Sequence, residues 1–314
     1  MKLGAEKLLR NNQGGNTSGL FMVAKRLDGK ACSLEVETDL KIRIGNCEKQ
    51  GITPHIAVII VGDDPASHVY VGAKIRACER LNLKSTHIEL PESTEEKELI
   101  EIVKNLNGDE TVHGILIQSP LPSHMDEEGL TDLIHPEKDV DGFHPTNLGR
   151  LVQGRNDGML PCTPSGVMRL LEWAGIETKG KKAVVIGRSR NVGMPQALLL
   201  TARGADSTVT IAHSKTEDIA SICKQSDIIV AAVGSPEMVK PEWVKENAIV
   251  VDVGVNRVED SSRERGWRLA GDVSPKVGEV ASWLSPVPGG VGPMTVAMLM
   301  ENTVRSAERK MKNT

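Results

Sequence analysis

The chain has 314 residues, and its 38 Lys and Arg against 42 Asp and Glu leave a formal net charge of −4. That balance argues against nucleic acid or an anionic membrane surface as a partner. Hydrophobic residues at 39% together with 30 glycines give the apolar share of a globular protein, and no apolar run nears the length needed to cross a bilayer. The five cysteines (Cys32, Cys47, Cys78, Cys162, Cys223) are scattered and form no CxxC pair, which argues against a disulfide framework or a zinc site and for a reducing compartment. Aromatic residues make up only 2%, so the core must be aliphatic and methionine-rich, and the single tyrosine, Tyr70, stands out.

Residues 1–21 join a short amphipathic start to a Gly/Asn/Ser/Thr stretch and read as a mobile extension, with the fold beginning near Met22. They carry no secretory apolar core and one arginine, Arg10, so a cytoplasmic protein is expected, with an organellar targeting peptide as the competing reading. Downstream, SLEVETDLKIRIGNCEKQG suits a helix, HIAVIIVG a buried strand, SHVYVGAKIRACERLN a helix and KSTHIELP a strand. TEEKELIEIVKNLNGD follows as a helix, VHGILIQSPLP as a strand entering a Pro-rich loop, HMDEEGLTDLI as a helix and HPEKDVDGFHPTN as a loop. Strands separated by helices imply βαβ units and a mostly parallel sheet.

A seam falls over QGRNDGMLPCTP, and Thr163-Pro164-Ser165 then reads as the capped start of the helix SGVMRLLEWAG. The alternation begins afresh: KKAVVIG strand, MPQALLLTARG helix, STVTIAH strand, TEDIASICKQ helix, DIIVAAVG strand, PEWVKEN helix, AIVVDVGVN strand. Two α/β domains fit this rhythm better than one.

The turn from Gly187 through Arg188, Ser189 and Gly193 joins a strand to a helix, where glycine admits a pyrophosphate and the helix start offers free N–H groups. Its spacing is not GxGxxG, and an ordinary strand-to-helix turn is the competing reading. The next strand ends in Ala212-His213-Ser214-Lys215, with hydroxyl and cation where an NAD site places an acid, so NADP is favoured over NAD, with Arg188 and Ser214 facing a 2′-phosphate. A helix cap with a solvated lysine is the alternative for Ser214 and Lys215. Gly234 and Gly254, after the third and fourth strands, leave open space for a nicotinamide.

In the first half, Ser67, Tyr70 and Lys74 share a helix face. A partly buried lysine there would serve as base or proton carrier, while a surface lysine lying along a packed tyrosine is the plainer reading. Gln118 ends an apolar strand where open α/β sheets place ligands. Asp139 and Asp141 flank a glycine turn, which explains them as turn residues; without further ligands at metal spacing, no metal site is expected. The Pro286–Pro293 segment, with Pro288, Gly289 and Gly290, is stiff and bent and fits neither helix nor central strand.

Taken in order, SHVYVGAK, ILIQSPLP, PEKDVDGFHPTNLGRL, PCTPSGV, GRSRNVGMP, TVTIAHSKT, DVGVN, GDV and PVPGGVGPMTVAMLMENT resemble the bifunctional methylenetetrahydrofolate dehydrogenase/cyclohydrolases from about Ala24 to Arg309. The resemblance implies an N-terminal α/β catalytic domain (22–160, completed by a returning helix over 294–314), a Rossmann-type dinucleotide-binding domain (161–293), and a cleft between them. It implies Lys74 as the catalytic lysine, Gln118 as its hydrogen-bonding partner, Tyr70 against the pterin and Asp141 on the pterin amino edge. Ser67, Pro288, Gly289 and Gly290 fall to the folate, and Gly187, Arg188, Ser189, Ser214 and Gly254 to the cofactor. Tetrahydrofolate derivatives as ligands and a homodimer are likewise implied. A shikimate- or amino-acid-type dehydrogenase, or a catalytically silent folate- or nucleotide-binding module, are the alternatives.

Overall fold

The computed structural model describes residues 23–155 and 157–313, so the extension expected over 1–21 and the start near Met22 lie outside the described residues. Strand β1 (Lys25–Arg26) leads into helix α1 (Gly29–Glu48), whose first N–H groups are received by the Asp28 carboxylate at 3.0 and 3.1 Å. Then come β2 (His55–Val61), α2 (Pro65–Leu81), β3 (Lys84–Leu90), α3 (Glu96–Gly108), β4 (Gly114–Ile117), α4 (Glu127–Asp132) and α5 (Pro145–Val152). After the seam, α6 (Cys162–Trp173), β5 (Lys182–Ile186), α7 (Gly193–Thr201), β6 (Thr208–Ala212), α8 (Ile219–Lys224), β7 (Ile228–Ala231) and β8 (Ile249–Asp252) continue the alternation. The antiparallel pair β9 (Asn256–Glu259) and β10 (Trp267–Ala270), β11 (Trp283–Leu284) and α9 (Val291–Asn313) complete the chain.

Two parallel sheets result. The smaller has the order β3-β2-β4, with the all-apolar run of β2 buried at its centre. The larger has the order β1-β11-β8-β7-β5-β6, all neighbours parallel. Counted from β5, its order is that of a doubly wound nucleotide-binding sheet, and the chain leaves in opposite directions on either side of β5. In both sheets the carboxyl end of the first strand therefore borders a crevice, between β2 and β4 in one and β5 and β7 in the other.

Helices α1, α6 and α9 stand between the sheets. Buried Ile56, Val58, Ile60 and Leu116 of the small sheet share one apolar cluster with Ala183, Val185, Ile228 and Val230 of the large one, by way of Leu170, Met294 and Val304. The outer faces are covered separately, by Leu99, Val103 and Leu130 on the small sheet and by Cys223, Val244 and Val277 on the large. With few aromatic rings available, methionines Met294, Met298 and Met300 of α9 fill the space between the layers.

The sequence reading needs four corrections. PEWVKEN forms only a single 3-10 turn over Pro241–Trp243, closed by N–H groups of Trp243 and Val244 that bond three residues back, because so short a segment cannot offset the cost of helix nucleation. Thr163 does not cap α6; the helix starts at Cys162, whose N–H donates to the Asp141 carbonyl at 3.3 Å, and the Thr163 hydroxyl instead meets Thr295 of α9 at 3.0 Å. The last residues of the expected loop HPEKDVDGFHPTN already belong to α5, capped by His144. Strand β1, which the sequence reading did not include, is formed by residues of the expected first domain yet extends the edge of the larger sheet beside β11.

Candidate active site

Helix α2 leaves the carboxyl end of β2 and carries Lys74 over the crevice beside β4. Its Nζ donates to Gln118 Oε1 at 2.8 Å. Gln118 is held rigidly for this: its backbone N–H donates to the Ile59 carbonyl at 2.8 Å, its Nε2 to the Ser119 carbonyl at 2.6 Å, and the side chain is buried. Burial pushes the Lys74 ammonium below its usual range, and the neighbouring Asp141 and then Cys162 draw it back up. Asp141 answers in the opposite sense: burial pushes its carboxyl up to about 6, against the pull of Lys74 and with the push of Asp139. A lysine and a carboxyl brought toward each other's proton affinity in this way suit proton transfer.

Asp139 and Asp141 divide the labour of the turn. Asp139, 1% exposed, accepts from the N–H groups of Gly142, Phe143 and His144 and from Asn147 Nδ2, at 2.8 to 3.2 Å. It is the structural acid and leaves the Asp141 side chain to the crevice. Cys162 went unremarked in the sequence as a site residue. Burial holds its thiol well above the usual range, and Sγ donates to the Val140 carbonyl at 3.2 Å, which fixes the turn bearing Asp141.

Tyr70 lies one turn before Lys74 and is 45% exposed, so its ring is not packed in the core. Ser67, seven residues before Lys74 on the same helix, is 3% exposed, and its hydroxyl lies 2.9 Å from Asp64 Oδ2 and 3.3 Å from the Ser119 carbonyl, tying the start of α2 to the loop after Gln118. The segment Pro288–Gly290 turns at Gly289 (φ 105°), and its near neighbours are Gly29 and Lys30 at the start of α1.

Across the crevice, Gly187 follows β5 with φ 120°, and a side chain there would strike the Ala232 carbonyl. Gly193 opens α7, and a Cβ there would strike the Gly187 carbonyl, so the turn is tightly folded back on itself. Ser189 Oγ accepts from the N–H groups of Val192 and Gly193 at 3.2 and 3.3 Å. Arg188 and Ser214 are both exposed at the carboxyl ends of the adjacent strands β5 and β6. Ser214 does not cap a helix; Asp218 does so for α8. Exposed cation and hydroxyl beside a glycine-shaped turn fit a dinucleotide phosphate. One expectation fails here. A Cβ at Gly234 would meet open space, whereas at Gly254 it would collide with the Asp272 carboxylate, so Gly254 is demanded by packing and not by room for a nicotinamide. Asp272 gathers the N–H groups of Val233, Gly234 and Ser235 and the Asn256 amide at 2.7 to 3.0 Å, which orders the loops at this edge.

A small cavity of about 100 Å³ joins the two sides, lined by Ser119, Asp141 and Phe143 from the first and Arg190 and Asn191 from the second. Among the described residues no cluster of three or more His, Cys, Asp or Glu forms a metal site, and no helix is long and apolar enough to cross a membrane.

Fold and site thus define a two-sheet α/β protein with a dinucleotide-type turn facing a lysine-centred crevice. Comparison with known proteins narrows this further. Residues 27–141 match the model of the tetrahydrofolate dehydrogenase/cyclohydrolase catalytic domain, and residues 161–311 match that of its NAD(P)-binding domain. The bifunctional protein FolD of Moorella thermoacetica is 50% identical over 289 residues, covering 92% of this chain and 100% of that protein. Among solved structures, the FolD methylenetetrahydrofolate dehydrogenase/cyclohydrolase of Campylobacter jejuni superposes with a TM-score of 0.87 at 45% identity, over 91% of this chain and 99% of that one. The Trypanosoma brucei enzyme, complexed with NADP cofactor and inhibitor, gives 0.86 at 40% identity, over 91% and 98%. The chain belongs to the tetrahydrofolate dehydrogenase/cyclohydrolase family, which replaces the shikimate- or amino-acid-type alternative.

Proposed function

We propose that the protein oxidises 5,10-methylenetetrahydrofolate to the 5,10-methenyl cation with NADP and hydrolyses that cation to 10-formyltetrahydrofolate, both at the crevice around Lys74. The observation that carries this reading is the Lys74–Gln118 hydrogen bond of 2.8 Å beside Asp141, facing the glycine turn of the larger sheet. Family membership over nearly the whole chain supports it.

Bound NADP supplies the hydride acceptor. The rest falls to the chain's own residues. Arg188 and Ser214 receive the 2′-phosphate, and Gly187, Ser189 and the start of α7 receive the pyrophosphate. Tyr70 offers a ring face to the pterin and Asp141 an acceptor to its amino edge, with Ser67 and the Pro288–Gly290 turn shaping the rest of the folate pocket. Oxidation then needs alignment more than acid or base. Hydration needs a base: neutral Lys74, its ammonium destabilised by burial, takes a proton as water adds to the methenyl carbon. Gln118 Oε1 orients the amine by accepting one of its hydrogens. The lysine returns that proton to the ring nitrogen as its bond to carbon breaks, and the carbinol hydroxyl loses its own proton to solvent as the formyl group forms.

The catalytic unit comprises residues 22–160 with the returning helix over 294–314, and the dinucleotide-binding unit residues 161–293, with β1 lent to the larger sheet. A cytoplasmic homodimer in one-carbon metabolism, whose formyl product serves purine biosynthesis, completes the proposal. The test is a progress curve with purified protein and methylenetetrahydrofolate, run with NADP and again with NAD, following reduced nicotinamide and methenylfolate together. Nicotinamide reduction with little methenylfolate build-up, faster with NADP, is expected. Absence of reduction with either cofactor would leave the silent binding module as the better reading.

A further inference from the structure

The turn assigned above to the cofactor holds a second arginine, Arg190, which reaches into the first half of the molecule. Its Nη2 donates to Asp132 Oδ1 at 2.7 Å and to the Phe143 carbonyl at 3.0 Å, and its Nη1 lies 3.6 Å from Glu128 Oε2. Asp132 and Glu128 stand four apart on α4, on one helix face. All three acceptors belong to the small-sheet side of the crevice, and the donor to the large-sheet side.

Each acceptor leads directly to a residue of the proposed folate site. Phe143 follows Asp141 by two residues, and its N–H is anchored on buried Asp139 at 3.2 Å. On α4, the neighbouring Glu127 accepts from Ser119 Oγ at 2.6 Å and from the Leu121 N–H at 3.1 Å. It thereby holds the loop that begins at Gln118, the partner of Lys74. One guanidinium on the cofactor turn therefore grips the 141–143 loop directly and the loop after Gln118 by way of α4. A pair holding only two surface side chains together would carry little weight. This one spans the crevice, is partly buried, and ends on a backbone carbonyl whose position is already fixed.

We infer that Arg190 is a positioning residue, a clasp that couples occupation of the dinucleotide site to the geometry of the Asp141 and Gln118 loops. The inference rests on the function proposed above for the two sides of the crevice. A ligand that orders the 187–193 turn orders the Arg190 backbone, and through it α4 and the 141–143 loop; by linkage, a folate held by those loops orders the cofactor turn equally.

Calorimetric titration of tetrahydrofolate into the full chain, with and without saturating NADP, and the reciprocal titration of NADP, measures this coupling. In the wild-type chain each ligand tightens the other by the same factor, about fivefold or more, the low end of ordinary coupling between sites. Arg190→Ala brings the factor to within about twofold of unity and raises KM for both ligands more than it lowers kcat, and Arg190→Lys restores part of the coupling. Asp132→Asn, on the other side of the clasp, gives the same loss and keeps the test decisive should Arg190→Ala fold poorly. A wild-type chain without coupling, or variants that retain the wild-type factor, would overturn the clasp. Should the wild-type chain couple the two ligands yet oxidise no methylenetetrahydrofolate, the clasp stands and the function proposed above falls.

Discussion

Lys74 sits between two opposed influences, burial that favours the neutral amine and Asp141 that favours the ammonium. Removing the carboxylate by Asp141→Asn leaves burial less opposed, so the pKa of Lys74 falls further and more of it is neutral at a given pH. If neutral Lys74 is the base, the acid limb of the cyclohydrolase kcat profile in this variant moves to lower pH. The gap from wild type closes below about 6, where the wild-type Asp141 is itself protonated. A limb that stays in place would remove Asp141 from any electrostatic role toward the lysine. Far from the crevice, His113 is 6% exposed with both ring nitrogens unpartnered, and burial, reinforced by Lys310, His55 and Lys138, holds its pKa down to about 4. A folded-state pKa below the unfolded one gives stability that is complete above the unfolded value near 6.5 and is lost as pH falls toward 4. The loss amounts to about 3 kcal/mol. His113→Met, with no proton to take up, shows a flatter fall of the urea midpoint over that range; an unchanged slope would place the acid sensitivity elsewhere.

At the scale of elements, α6 and α9 cross so closely that a Cβ at Gly166 would lie 2.8 Å from Met294 Cβ and 3.1 Å from its carbonyl carbon. Gly166→Ala therefore forces the two helices apart and destabilises by about 1–3 kcal/mol, read as a lower urea midpoint. A midpoint at the wild-type value would show that the crossing can relax. These helices, and the strands β2, β4, β5 and β7, were legible in the sequence because long apolar periodicities and uninterrupted aliphatic runs are local signals. The elements that were missed are the ones tertiary contacts create. The two-residue strands β1 and β11 exist only because they pair with each other and with β8, and β9 and β10 are charged segments paired only with one another. The site divides the same way. Lys74, Gln118 and Asp141 were marked by position and by family motif, whereas Arg190 and Cys162 act through partners remote in sequence, and Glu127 through a loop closure, that no spacing rule announces. Gly254 misled because a glycine at a strand end reads equally as room for a ligand or room for a neighbouring carboxylate.

On the scale of the whole molecule, one continuous apolar cluster links the two sheets, so the crevice lies between layers of a shared core rather than between loosely tethered units. Its large-sheet wall presents Arg188 and Ser214 exposed, which on the proposed reading selects the 2′-phosphate. Arg188→Ala then loses a charge-assisted hydrogen bond worth about 1.5–3 kcal/mol and raises KM for NADP by about 10- to 100-fold. KM for NAD, which has no phosphate there, stays within about twofold, as steady-state kinetics with the two cofactors would show. Equal effects on both would shift Arg188 to the pyrophosphate.

The central claim is that Lys74 is the proton carrier of the hydrolytic step, and the most direct measurement is the rate at which a Lys74→Met variant hydrolyses supplied methenyltetrahydrofolate, compared with the wild-type chain. The account predicts a loss of about 100-fold or more, with the methenyl absorbance persisting. A variant that hydrolyses it at the wild-type rate would contradict the account.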